Sequence, residues 1–356
     1  MQSYQLTEWG TPLQLKIRET PRPSGEEVLI KVAAAGVCHS DVHIREGYFD
    51  LGGGKKARFA DSGAELPMTL GHEIAGTVVA VGDTVKDIAL GSRAVVYPWI
   101  GCGSCRHCLA ARDMDCEAPR SLGVRRDGGF SDHVLVPSAR YLVPVRDVDM
   151  SFVATLACSG LTAMGALKKL PVLEPDDQVL VLGAGGLGLA AVAMAPLITR
   201  AGIVVADLAD DRIEAARRLG AKDGIRLAPG ASISSLRERI SGRLAAVIDF
   251  VGSRETSTLA MGLVGKGGVV IVVGMAGGSI EIPLPQLSTR NLTLRGSYVG
   301  SIDDLRELVR YAEDGRLPRL PISFRPMSEI NEIIDDLKHH KVVGRVVTAL
   351  NGAAGQ

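Results

Sequence analysis

Four cysteines fall in one short stretch, Cys102, Cys105, Cys108 and Cys116, separated by two, two and seven residues. The start of the chain does not read as a secretory leader, so close-set thiols are expected to stay reduced and to hold a metal rather than pair as disulfides. Four thiolates at these intervals can wrap one Zn²⁺ tetrahedrally on a single loop, and four ligands make a closed, structural site. Arg106 and Arg112 would offset part of the remaining negative charge. The rival reading is four unrelated free thiols. Two cysteines are left, Cys38 and Cys158. An open zinc site needs three protein ligands and one vacant position. Cys38 follows the strand-like run 28–32 in Gly36-Val37-Cys38-His39-Ser40-Asp41-Val42-His43, and His72 sits at a strand boundary in Gly71-His72-Glu73. Cys158 precedes a predicted helix. Alone, His72 reads first as a turn or core histidine, and Cys158 reads as readily as a small buried hydrophobe as a ligand.

A second kind of chemistry is written in the middle of the chain. Residues 178–182 read as a buried parallel strand that runs into Gly183-Ala184-Gly185-Gly186-Leu187-Gly188 and then an apolar helical stretch to about Ile198. In G-x-G-x-x-G the first glycine makes a tight turn, the second admits pyrophosphate to the backbone, and the third lets helix pack on strand. The helix N-terminus then faces the phosphates. A further buried strand, 202–206, ends at Asp207, 19 residues beyond Gly188. A carboxylate there accepts ribose hydroxyls and repels a 2′-phosphate, which predicts NAD over NADP.

Two scaffolds must position these groups. Apolar runs at 245–251 and 268–274, with a helical segment at 256–264, continue the strand–helix alternation and predict a doubly wound parallel sheet over 160–298. Residues 1–155 show short strand runs broken by Gly and Pro. Beyond residue 303 come helical patterns and then a strand at 342–347 that could rejoin the first domain. The predicted division is 1–159 with 299–356, and 160–298. A chain of 356 residues, 46% hydrophobic, suits two domains, and its 42 glycines with few aromatics suit α/β rather than a helical bundle. Lysine plus arginine equals aspartate plus glutamate at 40 each, so no net field draws the chain to nucleic acid or a membrane. No stretch of about 18 apolar residues runs free of charges and turns, and a soluble cytoplasmic protein is expected.

Taken together, the 36–43 segment, Leu70-Gly71-His72-Glu73, the four-cysteine loop, the glycine loop and Val343-Gly344-Arg345 resemble the zinc alcohol dehydrogenases of the medium-chain dehydrogenase/reductase superfamily. The resemblance covers essentially the whole chain. It is greatest to the tetrameric bacterial and archaeal NAD-dependent members, through Tyr97-Pro98-Trp99, Cys158-Ser159-Gly160-Leu161-Thr162 and the long segment Tyr48 to Leu66. It implies a GroES-like, irregular β-rich catalytic domain beside a Rossmann domain, and a homotetramer, with a homodimer as the smaller alternative. It also implies a catalytic zinc on Cys38, His72 and Cys158, with a structural zinc on the four-cysteine loop. Asp41 would orient the histidine ligand, and Glu73 would stand close behind the metal. Thr162 would pack near the nicotinamide and Arg345 would pair with pyrophosphate. The Tyr48 to Leu66 segment is longer than in many relatives and is expected to be a pocket rim or an oligomer contact.

The implied reaction is hydride transfer between an alcohol and NAD, giving an aldehyde or ketone, with zinc lowering the hydroxyl pKa. Ser40, two residues after Cys38, would take the proton and pass it through the nicotinamide ribose hydroxyl to His43. Trp99, Tyr48 and Tyr298 are expected to wall the substrate pocket. Two alternatives stand beside this. A polyol or sugar dehydrogenase would need polar pocket groups, and a silent NAD-binding redox sensor would have no need of an open metal position.

Overall fold

The computed structural model describes residues 1–228 and 233–350. Six strands between residues 177 and 296, apolar at the centre and polar at the two edges, form one wholly parallel sheet. Its spatial order is Asp223–Arg226, Gly202–Asp207, Asp177–Leu182, Arg243–Asp249, Val269–Val272, Thr293–Gly296. Every residue of Asp177–Leu182 is buried, as a central strand covered on both faces requires. Counted from its own first strand the order is 3-2-1-4-5-6, the doubly wound arrangement that opens a ligand crevice where the order reverses. Helix Gly186–Ile198 starts in that crevice, at the end of the first strand.

The run expected as a strand over 245–251 is hydrogen-bonded as one over Arg243–Asp249. The Asp249 carboxylate accepts the amides of Val251 and Gly252, which folds the chain into a turn and ends the strand although the next residues are still apolar.

The second body is a mostly antiparallel sheet ordered Leu142–Pro144, Arg93–Val96, Glu73–Val81, Val28–Val37, Arg345–Ala349, Ile322–Pro326, with His133–Val136 also against Val28–Val37. The strand expected near the end of the chain therefore lies beside Val28–Val37, and its residues are all buried. A smaller sheet joins Gln14–Ile17, Gln2–Leu6 and Met68–Thr69.

One helical run links the bodies. Met150–Thr155, a π-helical turn Leu156–Gly160 and Leu161–Leu167 follow without a break. No such stretch was expected from the sequence, yet this run is long and apolar enough to cross a membrane; 94% of it is buried inside the chain, as in a core helix. Its first part packs on Val28–Val37 and Glu73–Val81, and its last part packs on helix Gly186–Ile198. Cys158 was expected ahead of a helix and instead lies within the π-helical turn, a local widening found often at functional sites.

Candidate active site

Three elements from distant parts of the chain deliver Cys38, His72 and Cys158 to one point. Cys38 caps helix His39–Glu46 at the end of strand Val28–Val37, His72 stands just before strand Glu73–Val81, and Cys158 projects from the π-helical turn. Their ligand atoms lie within 4.8 Å of one another, and all three residues are buried. The Cys38 and Cys158 Sγ atoms are 3.9 Å apart. That is far beyond a disulfide bond of about 2.05 Å, and close to the edge of about 3.8 Å of a tetrahedron with Zn–S near 2.3 Å. His72 Nδ1 is 3.4 Å from Asp41 Oδ1, and neither ring nitrogen has a hydrogen-bond partner among the described residues. A fully buried imidazole left so is costly, and Nε2, the nitrogen left for the thiols, is placed as a metal ligand. The donor set fits zinc.

Proton affinities agree with that donor set. A hydrogen bond with Cys158 holds the Cys38 thiol well below its usual range, while the same contact and burial push Cys158 well above. The pair thus shares one proton where a dication would take its place. Burial favours the neutral form of His72, but the Asp41 carboxylate, with Cys38, outweighs it and raises the ring well above the ordinary value.

Asp41 Oδ2 accepts the Cys38 amide at 2.9 Å, so one carboxylate ties two of the three ligand-bearing segments. Glu73 and Arg345 form a buried ion pair. The Arg345 side chain also crosses the glycine loop, since a Cβ on Gly186 would come within 2.4 Å of its Cδ. Arg345 thus stands between the glycine loop and the residue next to His72, and its Nε has no partner among the described residues.

The glycine loop separates packing from ligand needs. Gly183 has φ +91°, and a Cβ on Gly188 would lie 1.9 Å from the Gly183 carbonyl, so both are glycine for the protein's own sake. A Cβ on Gly185 would meet nothing within 4 Å. What a side chain there would obstruct is an approaching ligand. Gly185 caps helix Gly186–Ile198 with no side-chain hydrogen bond, which keeps the positive end of the helix open beside Leu187. Asp207 accepts the amides of Ala184 at 2.6 Å and Ala209 at 2.9 Å. Each oxygen keeps a second lone pair for a hydroxyl. Thr162, buried, stands one helical turn beyond Cys158.

Around the trio the walls are aromatic. The Trp99 ring lies 5.4 Å from His72 and 5.6 Å from Tyr298, the latter edge to face at 70°. Trp99 Nε1 donates to the Ala157 carbonyl at 3.1 Å, so the indole presents no free donor. Tyr48 lies elsewhere in the contact pattern: its ring sits under Lys56, and among the described residues no ring contact joins it to Trp99 or Tyr298. It begins the hairpin Tyr48–Gly52 with Lys55–Arg58, whose Asp50 carbonyl accepts the Gly278 amide at 3.3 Å and so reaches across to the parallel-sheet body.

Ser40 Oγ is 3.7 Å from Cys38 Sγ. His43 lies one turn further along the same helix, its ring 5.2 Å from Phe49, and burial keeps its pKa below the ordinary value. No hydrogen bond joins Ser40 to His43 among the described residues, so a relay between them needs a bridging hydroxyl. Sequence reasoning passed over His39, Arg212 and His340. The available signals were the place of His39 directly after Cys38 and of Arg212 in the first turn of the helix after Asp207.

The four-cysteine loop forms a separate lobe. Its sulfur atoms lie within 4.8 Å of one another, with separations of 3.5 Å for Cys105–Cys108, 3.8 Å for Cys105–Cys116 and 3.9 Å for Cys102–Cys108. These again match tetrahedral thiolate edges. The Ser104 backbone and side chain draw Cys102 down to about 6, whereas burial pushes Cys108 up to about 12. Behind the lobe, one Asp113 oxygen accepts from the Gly101 amide at 3.2 Å, Arg140 at 2.7 Å and Tyr141 at 2.8 Å.

Comparison with known proteins agrees with this geometry. Residues 24–147 match the alcohol dehydrogenase GroES-like domain, and residues 186–314 match the zinc-binding dehydrogenase domain. An NAD-dependent alcohol dehydrogenase of Sulfurisphaera tokodaii is 37% identical over 98% of this chain and 99% of that protein. A D-arabinose 1-dehydrogenase (NADP(+)) of Saccharolobus solfataricus is 33% identical over 96% of this chain and 95% of its own length. The solved alcohol dehydrogenase of Aeropyrum pernix superposes with a TM-score of 0.89 at 31% identity, over 98% of this chain and 99% of that one. With two thiolate clusters of zinc geometry, a glycine loop open to a dinucleotide and relatives matched end to end, the chain belongs to the zinc-dependent alcohol dehydrogenases of the medium-chain dehydrogenase/reductase superfamily.

Proposed function

We propose that this chain oxidises primary and secondary alcohols to aldehydes and ketones, and catalyses the reverse reduction, by hydride exchange with NAD at a zinc site. The observation that carries the reading is the buried trio Cys38, His72 and Cys158, with His72 Nε2 unpartnered, beneath an aromatic wall. Zinc held there is a Lewis acid that lowers the pKa of an alcohol hydroxyl. NAD held on Gly183, Gly185, Gly186, Leu187 and Gly188 supplies the hydride acceptor. Asp207 receives the ribose hydroxyls and disfavours a 2′-phosphate, Arg345 meets pyrophosphate, and Thr162 lies toward the nicotinamide. The four-cysteine lobe holds a second, structural zinc.

The protein's own groups handle the proton. Ser40 would accept it from the alcohol and His43, whose charge burial disfavours, would release it to solvent; bound NAD would supply a ribose hydroxyl between the two. Asp41 fixes His72, and Glu73 holds Arg345.

One relative bears a sugar substrate in its name, so a polyol is the competing substrate. The commitment of Trp99 Nε1 to Ala157 favours apolar substrates, because the indole then offers a ring face and no free donor to a substrate hydroxyl. Initial rates of NAD reduction, followed by ultraviolet absorbance across linear, cyclic, benzylic and polyhydroxy alcohols with NADP and chelator controls, decide. Zinc-dependent turnover of apolar alcohols is expected. Turnover of polyols alone would overturn the substrate reading, and a zinc-replete but inactive protein would leave a redox sensor.

The same reading assigns residues 160–298 to the dinucleotide domain and 1–159 with 299–356 to the catalytic domain; residues 351–356 lie outside the described residues. We place the protein in the cytoplasm, where both thiolate sets stay reduced, and assemble it as a homotetramer. Supporting assembly, the sheet ends on the edge strand Thr293–Gly296, every residue of which is exposed.

A further inference from the structure

Three histidines gather where helix His39–Glu46 meets the chain just after helix Ile330–Lys338, and the proton path uses one of them. The rings of His39 and His340 stack with centroids 5.8 Å apart and planes 9° from parallel, and His39 and His43 are 5.4 Å apart. His340 is exposed and has φ +57°, directly past His339, the C-cap of helix Ile330–Lys338. Glycine ordinarily fills that left-handed position, because a Cβ there meets the following carbonyl. A histidine is held in a strained conformation at a surface position where it fills no core, and such outliers cluster at functional sites.

The main chain of His340 is engaged as well. Its carbonyl accepts Arg212 Nη2 at 2.6 Å, and the Val342 carbonyl accepts the same nitrogen at 3.0 Å. Arg212 stands 3.9 Å from Asp207, which accepts the Ala184 amide of the glycine loop. A continuous series of contacts therefore runs from the glycine loop through Asp207, Arg212 and His340 to His39, the neighbour of Cys38. The other series, Gly186, Arg345 and Glu73, ends at the neighbour of His72. A dinucleotide reaching from the glycine loop to the zinc ligands spans the same two ends.

We propose that His340 is a positioning residue for NAD: its ring fixes His39 and its carbonyl fixes Arg212, so that both side chains are arranged along the cofactor's path before it arrives. The inference rests on the NAD reading above. Preorganisation of this kind acts on cofactor affinity and leaves the chemical step nearly untouched.

The test compares zinc-loaded wild type, His340→Gly and His340→Phe by NADH fluorescence titration, thermal unfolding and steady-state kinetics. Glycine removes the ring and relieves the strain, and phenylalanine restores a stacking ring. His340→Gly is expected to weaken NADH binding about three- to tenfold, the range of one aromatic contact. KM for NAD should rise in step, kcat should stay within about twofold, and the unfolding midpoint should hold or rise. His340→Phe should bind within about twofold of wild type. Unchanged NADH affinity in His340→Gly, or equal loss in both variants, overturns the proposal. Wild type that binds no NADH would instead overturn the cofactor reading beneath it.

Discussion

At the scale of single residues, the proton path and the Glu73–Arg345 pair make separable predictions. Ser40→Ala should lower kcat by about 10²- to 10⁴-fold, the span of general acid–base catalysis, while zinc content and NADH affinity stay as in wild type; an unchanged kcat sinks the relay. His43 titrates below its ordinary 6.5 because burial disfavours the imidazolium. The neutral, proton-accepting form therefore persists under mildly acidic conditions, and the acid limb of kcat against pH should fall below pH 6.5. In His43→Ala that limb should vanish, and added imidazole should restore part of the rate. Glu73 tests stability rather than chemistry. Glu73→Ala leaves the Arg345 guanidinium buried without its counter-charge, which should cost about 3–5 kcal/mol, read as a lower denaturant midpoint at unchanged slope. None of this pairing was visible beforehand, because Glu73 and Arg345 are 272 positions apart. The trio was legible only in part: residue types and strand ends singled out Cys38 and offered His72, while Cys158 joined them through the family resemblance, because a lone cysteine before a helix reads equally well as a small buried hydrophobe.

Elements were legible in proportion to how local their cause is. The strand–glycine–helix unit at Asp177–Ile198 was read almost to its bounds, since buried run, tight turn and helix are all set by neighbouring residues. The π-helical turn around Cys158 was not, because one inserted residue in a helix fully buried on all sides leaves no break in apolar pattern. The hairpin beginning at Tyr48 escaped for the opposite reason: the segment was expected only as a pocket rim or oligomer contact, and its second strand, Lys55–Arg58, is exposed throughout and carries no buried apolar face. The zinc lobe was legible in its cysteines and hidden in its support. Asp113 collects three donors on one oxygen from residues up to 28 positions away. Asp113→Ala leaves the Tyr141 O–H and the Gly101 N–H without their acceptor, although Arg140 still donates to the Tyr141 oxygen. Release of the lobe's zinc to a chromophoric chelator should then accelerate at least about tenfold, the equivalent of one hydrogen bond to a charged group. Alcohol turnover should change far less, because the lobe touches neither Ser40 nor the open trio. Equal loss of both would show that lobe and active site are one unit.

For the whole molecule, two bodies share one buried helical run, and the far edge of the parallel sheet, Thr293–Gly296, is exposed along its length. An all-parallel sheet is ordinarily sheltered, and an exposed edge strand invites pairing with another chain. Thr293 donates its amide inward to Gly268 and Ser297 donates inward to Val272, so by the alternation of a strand the Leu294 and Gly296 amides point away from the sheet. On this strand Leu294 is 40% exposed, and on the helix that leads into it, Leu284–Thr289, Leu284 is 72% exposed, apolar area that a lone chain would leave in water. Both features are satisfied at once if a second copy lays its own edge strand alongside. Leu284→Lys with Leu294→Lys places charge on that surface without touching the zinc ligands or the glycine loop. In sedimentation velocity the wild type should run as a tetramer, and the double variant should run as a smaller species at the same concentration. A wild-type monomer, or a variant that assembles as before, would remove this edge as the contact and leave the expected assembly without its support in the fold.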